Sequence, residues 1–304
     1  MIVREEYPLS AVAAVLKKDI SVVIIGTSSC EERCQKIKDT FQDTGAMIVA
    51  VDYKHDEGKF HFSVLTDPLP STFRPTKERF ANLFAGKLKG HDKNVLIDLT
   101  SLQHPVIIVL LNILFNKIRP AHLFAAYVKP KQYINRDELG KYNLTIGVSE
   151  PAGIPGLIRQ RKDNEIVIPF LGFEGDRLHN IIEDMTYDSI IPIIGFPSED
   201  PSWQFESLRN CMQVLESACP DAEIRKCKSN SIYDAIATLD EINALYPEKN
   251  FVLLPLGIRP HTAACGIWAA KHKNARVLYD YVVESDKRSV GIGDVIVYHL
   301  SRYI

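Results

Sequence analysis

The sequence predicts an α/β protein made of two doubly wound, Rossmann-like parallel sheets related by internal duplication. Three observations predict it. Apolar, β-branched runs alternate with helix-period segments along all 304 residues. Several of those runs are apolar on both faces, as strands covered by helices on both sides must be. One device also occurs twice. "KNVLIDLTSLQHPVIIVLLNILF" (Lys93–Phe115) and "KNFVLLPLGIRPHTAACGIWAAK" (Lys249–Lys271) both read as Lys-Asn, an apolar strand, a polar turn holding a His, and an apolar helix.

The opening, "MIVREEYPLSAVAAVLKKDI", reads as a short amphipathic helix and lacks the long apolar stretch of a signal peptide. "ISVVIIG" (20–26) and "AMIVAVDY" (46–53) are β-branched runs and predict strands; "KFHFSVL" (59–65) alternates and predicts a half-buried one. "NVLIDL" (94–99), "HLFAAYV" (122–128) and "YNLTIGV" (142–148) complete the first half, with helices near 30–43, 75–89 and 103–117. The second half offers strands at 165–172, 189–195, 222–227, 250–256, 275–282 and 294–300, and helices near 174–185, 202–218, 231–246 and 260–272. "GVSEPAGIPGLIRQRKDNE" (147–165) is rich in Gly, Pro and charge and predicts the join. The expected domains are therefore 1–150 and 165–304.

The duplication extends past the paired device. "SVVIIGTSSCEERCQKIKDTF" matches "SIIPIIGFPSEDPSWQFESLRNCMQVL" as strand, Ile-Ile-Gly, polar turn and helix. "LFAAYVKP" matches "VLYDYVVE", and "YNLTIGV" and "DVIVYHL" each close a half.

Charge is uneven. Residues 1–163 hold 23 Lys+Arg against 18 Asp+Glu, net +5, and residues 164–304 hold 13 against 20, net −7. That suits an anionic ligand on the first half but is too dilute to grip duplex nucleic acid. The longest apolar run, "VIIVLLNILF", is too short to span a bilayer, so the expected location is the cytoplasm, with no membrane partner. The six cysteines form no CxxC pair, so reduced thiols and no metal are expected. P-loop, GxSxG and HExxH motifs are absent, and "RSVGIGD" (288–294) is Gly-rich without a following helix. No cofactor is expected.

Ligands of open α/β sheets bind beyond the carboxyl ends of the strands, at the switch point. In the first half this selects the hydroxyl-rich turns Thr27-Ser28-Ser29 and Thr100-Ser101. In the second half it selects Gly257, which allows close backbone approach, the guanidinium fork of Arg259, and Thr262. His104 and His261 hold matching places and read as bases, ligand contacts or backbone-bonded helix starts. Glu174, in "LGFEGDRLHN", and Asp98 are the carboxylates available for acid–base work, or for pairing within a helix start.

Those turns carry a resemblance. "GTSS" (26–29), "DLTS" (98–101) and "LGIRP" (256–260), within a paired Rossmann-like layout, resemble the CARF domains of CRISPR-linked sensors and the fused SAVED domains of bacterial antiphage systems. The resemblance implies a cyclic or linear oligonucleotide messenger bound across a pseudo-twofold groove between the halves. It also implies an effector or partner protein, since no effector domain is recognised in the sequence. The expected function is nucleotide-like anion binding by a sensor or signalling subunit. Two alternatives stay open. One is an enzyme acting on a nucleotide or nucleoside through Glu174 or Asp98 with His104 or His261; the other is a scaffold with vestigial sites.

Overall fold

A computed structural model describes residues 20–28, 31–67, 72–138, 140–157, 159–183, 185–285 and 288–303. The expected N-terminal helix and Ser29 lie outside the described residues. The chain divides into two compact units, residues 1–133 with 289–304, and residues 134–288.

Unit 1 runs β1 (Val22–Gly26), a 3-10 turn (Glu32–Gln35), α1 (Lys36–Phe41), β2 (Met47–Lys54), β3 (Lys59–Val64), β4 (Thr72–Phe73), α2 (Lys77–Leu88), β5 (Asn94–Asp98), α3 (His104–Ile113) and β6 (His122–Tyr133). Unit 2 holds β7 (Thr145–Gly147), β8 (Ala152–Gly153), β9 (Glu165–Phe170), α4 (Gly175–Ile182), β10 (Ser189–Ile190), β11 (Ile193–Gly195) and α5 (Pro201–Ala218). It continues with β12 (Arg225–Cys227), α6 (Ile232–Leu245), β13 (Asn250–Pro255), α7 (Arg259–Lys271), β14 (Ala275–Tyr279) and β15 (Val283–Glu284). The chain then returns to unit 1 as β16 (Ser289–His299).

The unit-1 sheet has the order β16-β6-β5-β1-β2-β3-β4, and the unit-2 sheet β12-β11-β9-β13-β14-β8, with β10 beside β9. Around the first strand of each, β1 or β9, the layout is the same. The second strand lies on one side, the fourth and fifth on the other, all parallel, with an antiparallel strand beyond the fifth. The third strand differs: β3 returns antiparallel from β2, whereas β12 arrives parallel to β11 after α5. This is the expected pair of doubly wound α/β sheets. The helices following the fourth strands, α3 and α7, are buried over almost their whole length, which is why neither is amphipathic in sequence.

The expected boundaries at 150 and 165 differ from the observed division, because the two closing strands are exchanged. β7, expected to close the first half, pairs with β15 in unit 2. The run at 294–300, expected to close the second half, belongs to β16, which pairs antiparallel with β6 from Tyr133 to Phe124. Val295 and Val297 of β16 enter a core with Val23, Ile25, Ile48 and Val128. Burying that apolar face against β6 decides the assignment. Unit 2 is thus an insertion between two neighbouring strands of unit 1. The counterpart of β1 is β9, not the run at 189–195 with which its sequence was matched. Among the described residues no helix is long and apolar enough to cross a membrane.

Candidate functional site

In unit 1 the winding reverses between β1 and β5, and the two carboxyl ends are locked together. An ideal Cβ at Gly26 would lie 1.9 Å from the Ser101 carbonyl oxygen, so only glycine lets the turn after β5 close onto β1. Gly26 N–H donates to Ser101 Oγ (2.8 Å), and that hydroxyl donates to Asp98 Oδ2 (2.5 Å). Asp98 Oδ1 accepts from Thr100 N–H (2.9 Å), while Thr100 Oγ1 accepts from Val128 N–H (2.8 Å). Asp98, Thr100 and Ser101 are buried. Expected to meet a ligand or a proton, these three side chains instead hold the turn and tie it to β1 and β6. His104 is buried at the start of α3. Thr27 is exposed and Ser28 half-buried, and these two stand at the surface of the edge.

Unit 2 repeats the device between β9 and β13. An ideal Cβ at Gly172 would lie 2.2 Å from the Leu256 carbonyl oxygen, and one at Gly257 2.9 Å from that of Leu171. Arg259 is buried and donates to Glu284 Oε1 (3.1 Å), which also takes Arg288 at 2.8 Å. Thr262 is fully buried. Glu174 Oε1 accepts from Leu144 N–H (3.0 Å), Thr145 N–H (2.9 Å) and Thr145 Oγ1 (2.8 Å). The carboxylate read as a possible acid–base group therefore anchors the segment that enters β7.

His261 sits 2% exposed beneath the ends of β9, β11 and β12, where Nε2 lies 3.3 Å from Lys228 O and 3.5 Å from Cys227 Sγ. Burial pulls its pKa down to about 4 and pushes the Cys227 thiol up to about 12. At neutral pH the pair is a thiol beside a neutral imidazole, not the thiolate–imidazolium pair of a nucleophile. The four acid–base candidates fall two in each unit, Asp98 with His104 and Glu174 with His261.

Two features were only partly legible in the sequence, where "LGFEGDRLHN" suggests a Glu–Arg pair at a helix start and Phe196-Pro197-Ser198-Glu199 is a turn after a strand of the second half. The first is a buried arginine just after the first strand of each unit. Arg33 reaches Glu31 Oε2 (2.9 Å) and Val128 O (3.2 Å); Arg177 makes a two-point pair with Asp280 at 2.7 and 2.6 Å. Arg33 links the first crossover of unit 1 to the middle of β6, and Arg177 links that of unit 2 to the residue after β14. The signal was present, as acid then Arg a few residues past the strand glycine, in "GTSSCEER" and "GFEGDR". The second is the exposed rim after β11 and β12. Phe196 is 42% exposed, with Lys226 Nζ 4.9 Å from its ring centroid. Lys228 is exposed and Ser229 half-buried beside Gly195, where an ideal Cβ would lie 2.6 Å from Ser229 Oγ.

No protein-family model matches the chain, and no curated protein matches it. Among solved structures it is similar to the Cap4 SAVED/CARF-domain containing receptor of Acinetobacter baumannii, determined with the cyclic trinucleotide 2'3'3'-cAAA, at 12% identity and a TM-score of 0.38. The match covers 93% of this chain and 53% of the receptor's, so the chain spans about half the receptor's length.

Proposed function

We propose that the chain is a sensor or signalling subunit that binds a nucleotide-like anion beyond the carboxyl ends of its parallel strands. The observation that carries this reading is the repeated switch point. Both units press the fourth-strand turn onto a glycine at the end of the first strand and follow it with a helix that has no side-chain cap. The amides at such a helix start, other than Pro105 and Pro260 which have no N–H, suit an anion.

The unit-2 rim has what a nucleotide requires. Phe196 provides a stacking face, Lys226 and Lys228 provide cations for phosphate, and Ser229 with the 256–258 turn provides polar contacts. In unit 1, Thr27 and Ser28 stand at the surface beyond the end of β1. Asp98, Thr100, Ser101, Arg259 and Thr262 hold these edges in shape. A catalytic reading draws no support from Asp98, both of whose oxygens accept from the chain, or from Glu174, whose Oε1 accepts three hydrogen bonds from it and whose Oε2 faces Arg177 at 4.0 Å.

The test is thermal melting of the intact chain with mono-, di- and cyclic oligonucleotides, 2'3'3'-cAAA among them, with product analysis of each mixture. A binding nucleotide at 100 times its Kd adds about 2.7 kcal/mol of stability. Expected is a saturable rise in Tm with the nucleotide recovered unchanged. Phe196→Ala should weaken affinity by about 5- to 150-fold, the value of one stacked base. A panel without any response, or nucleotide turnover, rejects the proposal.

A further inference from the structure

Two histidines meet at the amino-terminal edge of the unit-1 sheet, opposite the edge considered above. His122 opens β6 and His299 ends β16, 177 residues apart in sequence, and His122 Nδ1 lies 3.4 Å from His299 Nε2. Their surroundings hold the two strand ends together through the backbone and stack the His299 ring. Phe124 stacks on His299 (centroids 4.7 Å, 16°) and lies 6.3 Å from His122. His122 N–H donates to Lys93 O (3.0 Å), Leu123 N–H to Ser301 Oγ (2.9 Å) and Leu300 N–H to Leu123 O (2.7 Å). His122 is exposed and His299 half-buried, so solvent ions reach the pair.

A separation of 3.4 Å is long for a hydrogen bond from a ring N–H, which prefers about 2.7–3.2 Å. It is, however, the spacing of two nitrogens on one tetrahedral ion: bonds of about 2.0–2.1 Å put them about 3.3–3.4 Å apart. We propose that His122 Nδ1 and His299 Nε2 bind one divalent transition-metal ion of the zinc type, with water completing its shell. Imidazole selects Zn, Ni or Cu over Mg or Ca. Among the described residues no group of three or more His, Cys, Asp or Glu gathers for a metal, so this site is a two-ligand clip rather than a closed structural centre. Its physical consequence follows from position. The ion joins the strand that leads into the inserted unit to the strand that leads out of it, and so stabilises the β6–β16 pairing by mass action.

The experiment is calorimetric titration of the intact, chelator-treated chain with ZnCl2, alongside MgCl2, with melting curves at each end point. Expected are one zinc per chain, a raised Tm with zinc and no response to magnesium. His122→Asn, at an exposed position that should leave folding intact, is expected to weaken zinc binding about 10-fold or more, and His299→Gln likewise. The metal-free Tm of each variant reports its folding separately. Absence of saturable zinc binding by the unaltered chain overturns the proposal, as does zinc affinity unchanged in His122→Asn. Neither result bears on nucleotide binding, which concerns the opposite edge.

Discussion

At the residue scale, the polar side chains at the strand ends mostly serve the chain. Asp98, Thr100 and Ser101 close one turn; Glu174 anchors another; Arg177 and Asp280 neutralise each other in the interior. Sequence could not separate this from ligand binding, because Ser, Thr and Asp satisfy backbone groups in turns with the same donors and acceptors they offer a phosphate. His261 shows what burial does to such a group. Its folded-state pKa of about 4 lies below the ordinary 6.5, so between those values the unfolded chain holds a proton that the folded chain does not. Stability therefore rises with pH across this window and is lost as pH falls from about 6.5 toward 4, by on the order of 3 kcal/mol in full. Urea midpoints measured from pH 7 to 4.5 should fall less steeply for His261→Gln than for the unaltered chain. Parallel curves would mean that His261 titrates normally in the fold.

At the scale of elements, the first strand and the fourth-strand turn work as one part in each unit. Gly26 and Gly172 are required for space, not for an unusual backbone angle: added Cβ atoms would fall 1.9 and 2.2 Å from backbone carbonyl oxygens, which cannot move without breaking the turn. Gly26→Ala and Gly172→Ala should each cost about 3 kcal/mol or more. Gly86→Ala, in the open on α2, should leave stability unchanged or raise it by up to about 1 kcal/mol. Denaturant unfolding distinguishes the two classes, and equal effects at all three positions would refute the packing account. The equivalence of Gly26 and Gly172 was hidden in the sequence. The strands themselves were legible from their apolar runs, but "SVVIIG" looks like "SIIPIIG", whereas its structural counterpart is "EIVIPFLG". Which run becomes the central strand is set by long-range pairing, β9 with β13 over six residues, and no local pattern encodes that.

At the scale of the molecule, the same limit explains why the closing strands were exchanged. The apolar run Val295–Val297 of β16 looks like a strand of either half, and its place beside β6 depends on a contact across more than 150 residues. That topology has a direct consequence. Tyr133 and Ser289, where the chain leaves and re-enters unit 1, are register partners in one antiparallel ladder. The insertion therefore occupies the position of a hairpin turn. Replacing residues 134–288 by Asn-Gly, whose type I′ geometry suits a two-residue hairpin, should leave a chain that closes β6 onto β16 and folds alone. Its length lies within the usual domain range, and the sheet would keep its full strand order. Expected are a single cooperative melting transition, dispersed amide resonances, and protection from hydrogen exchange in β1, β5 and β6. An aggregated or molten product would show that unit 1 requires the inserted unit in order to fold.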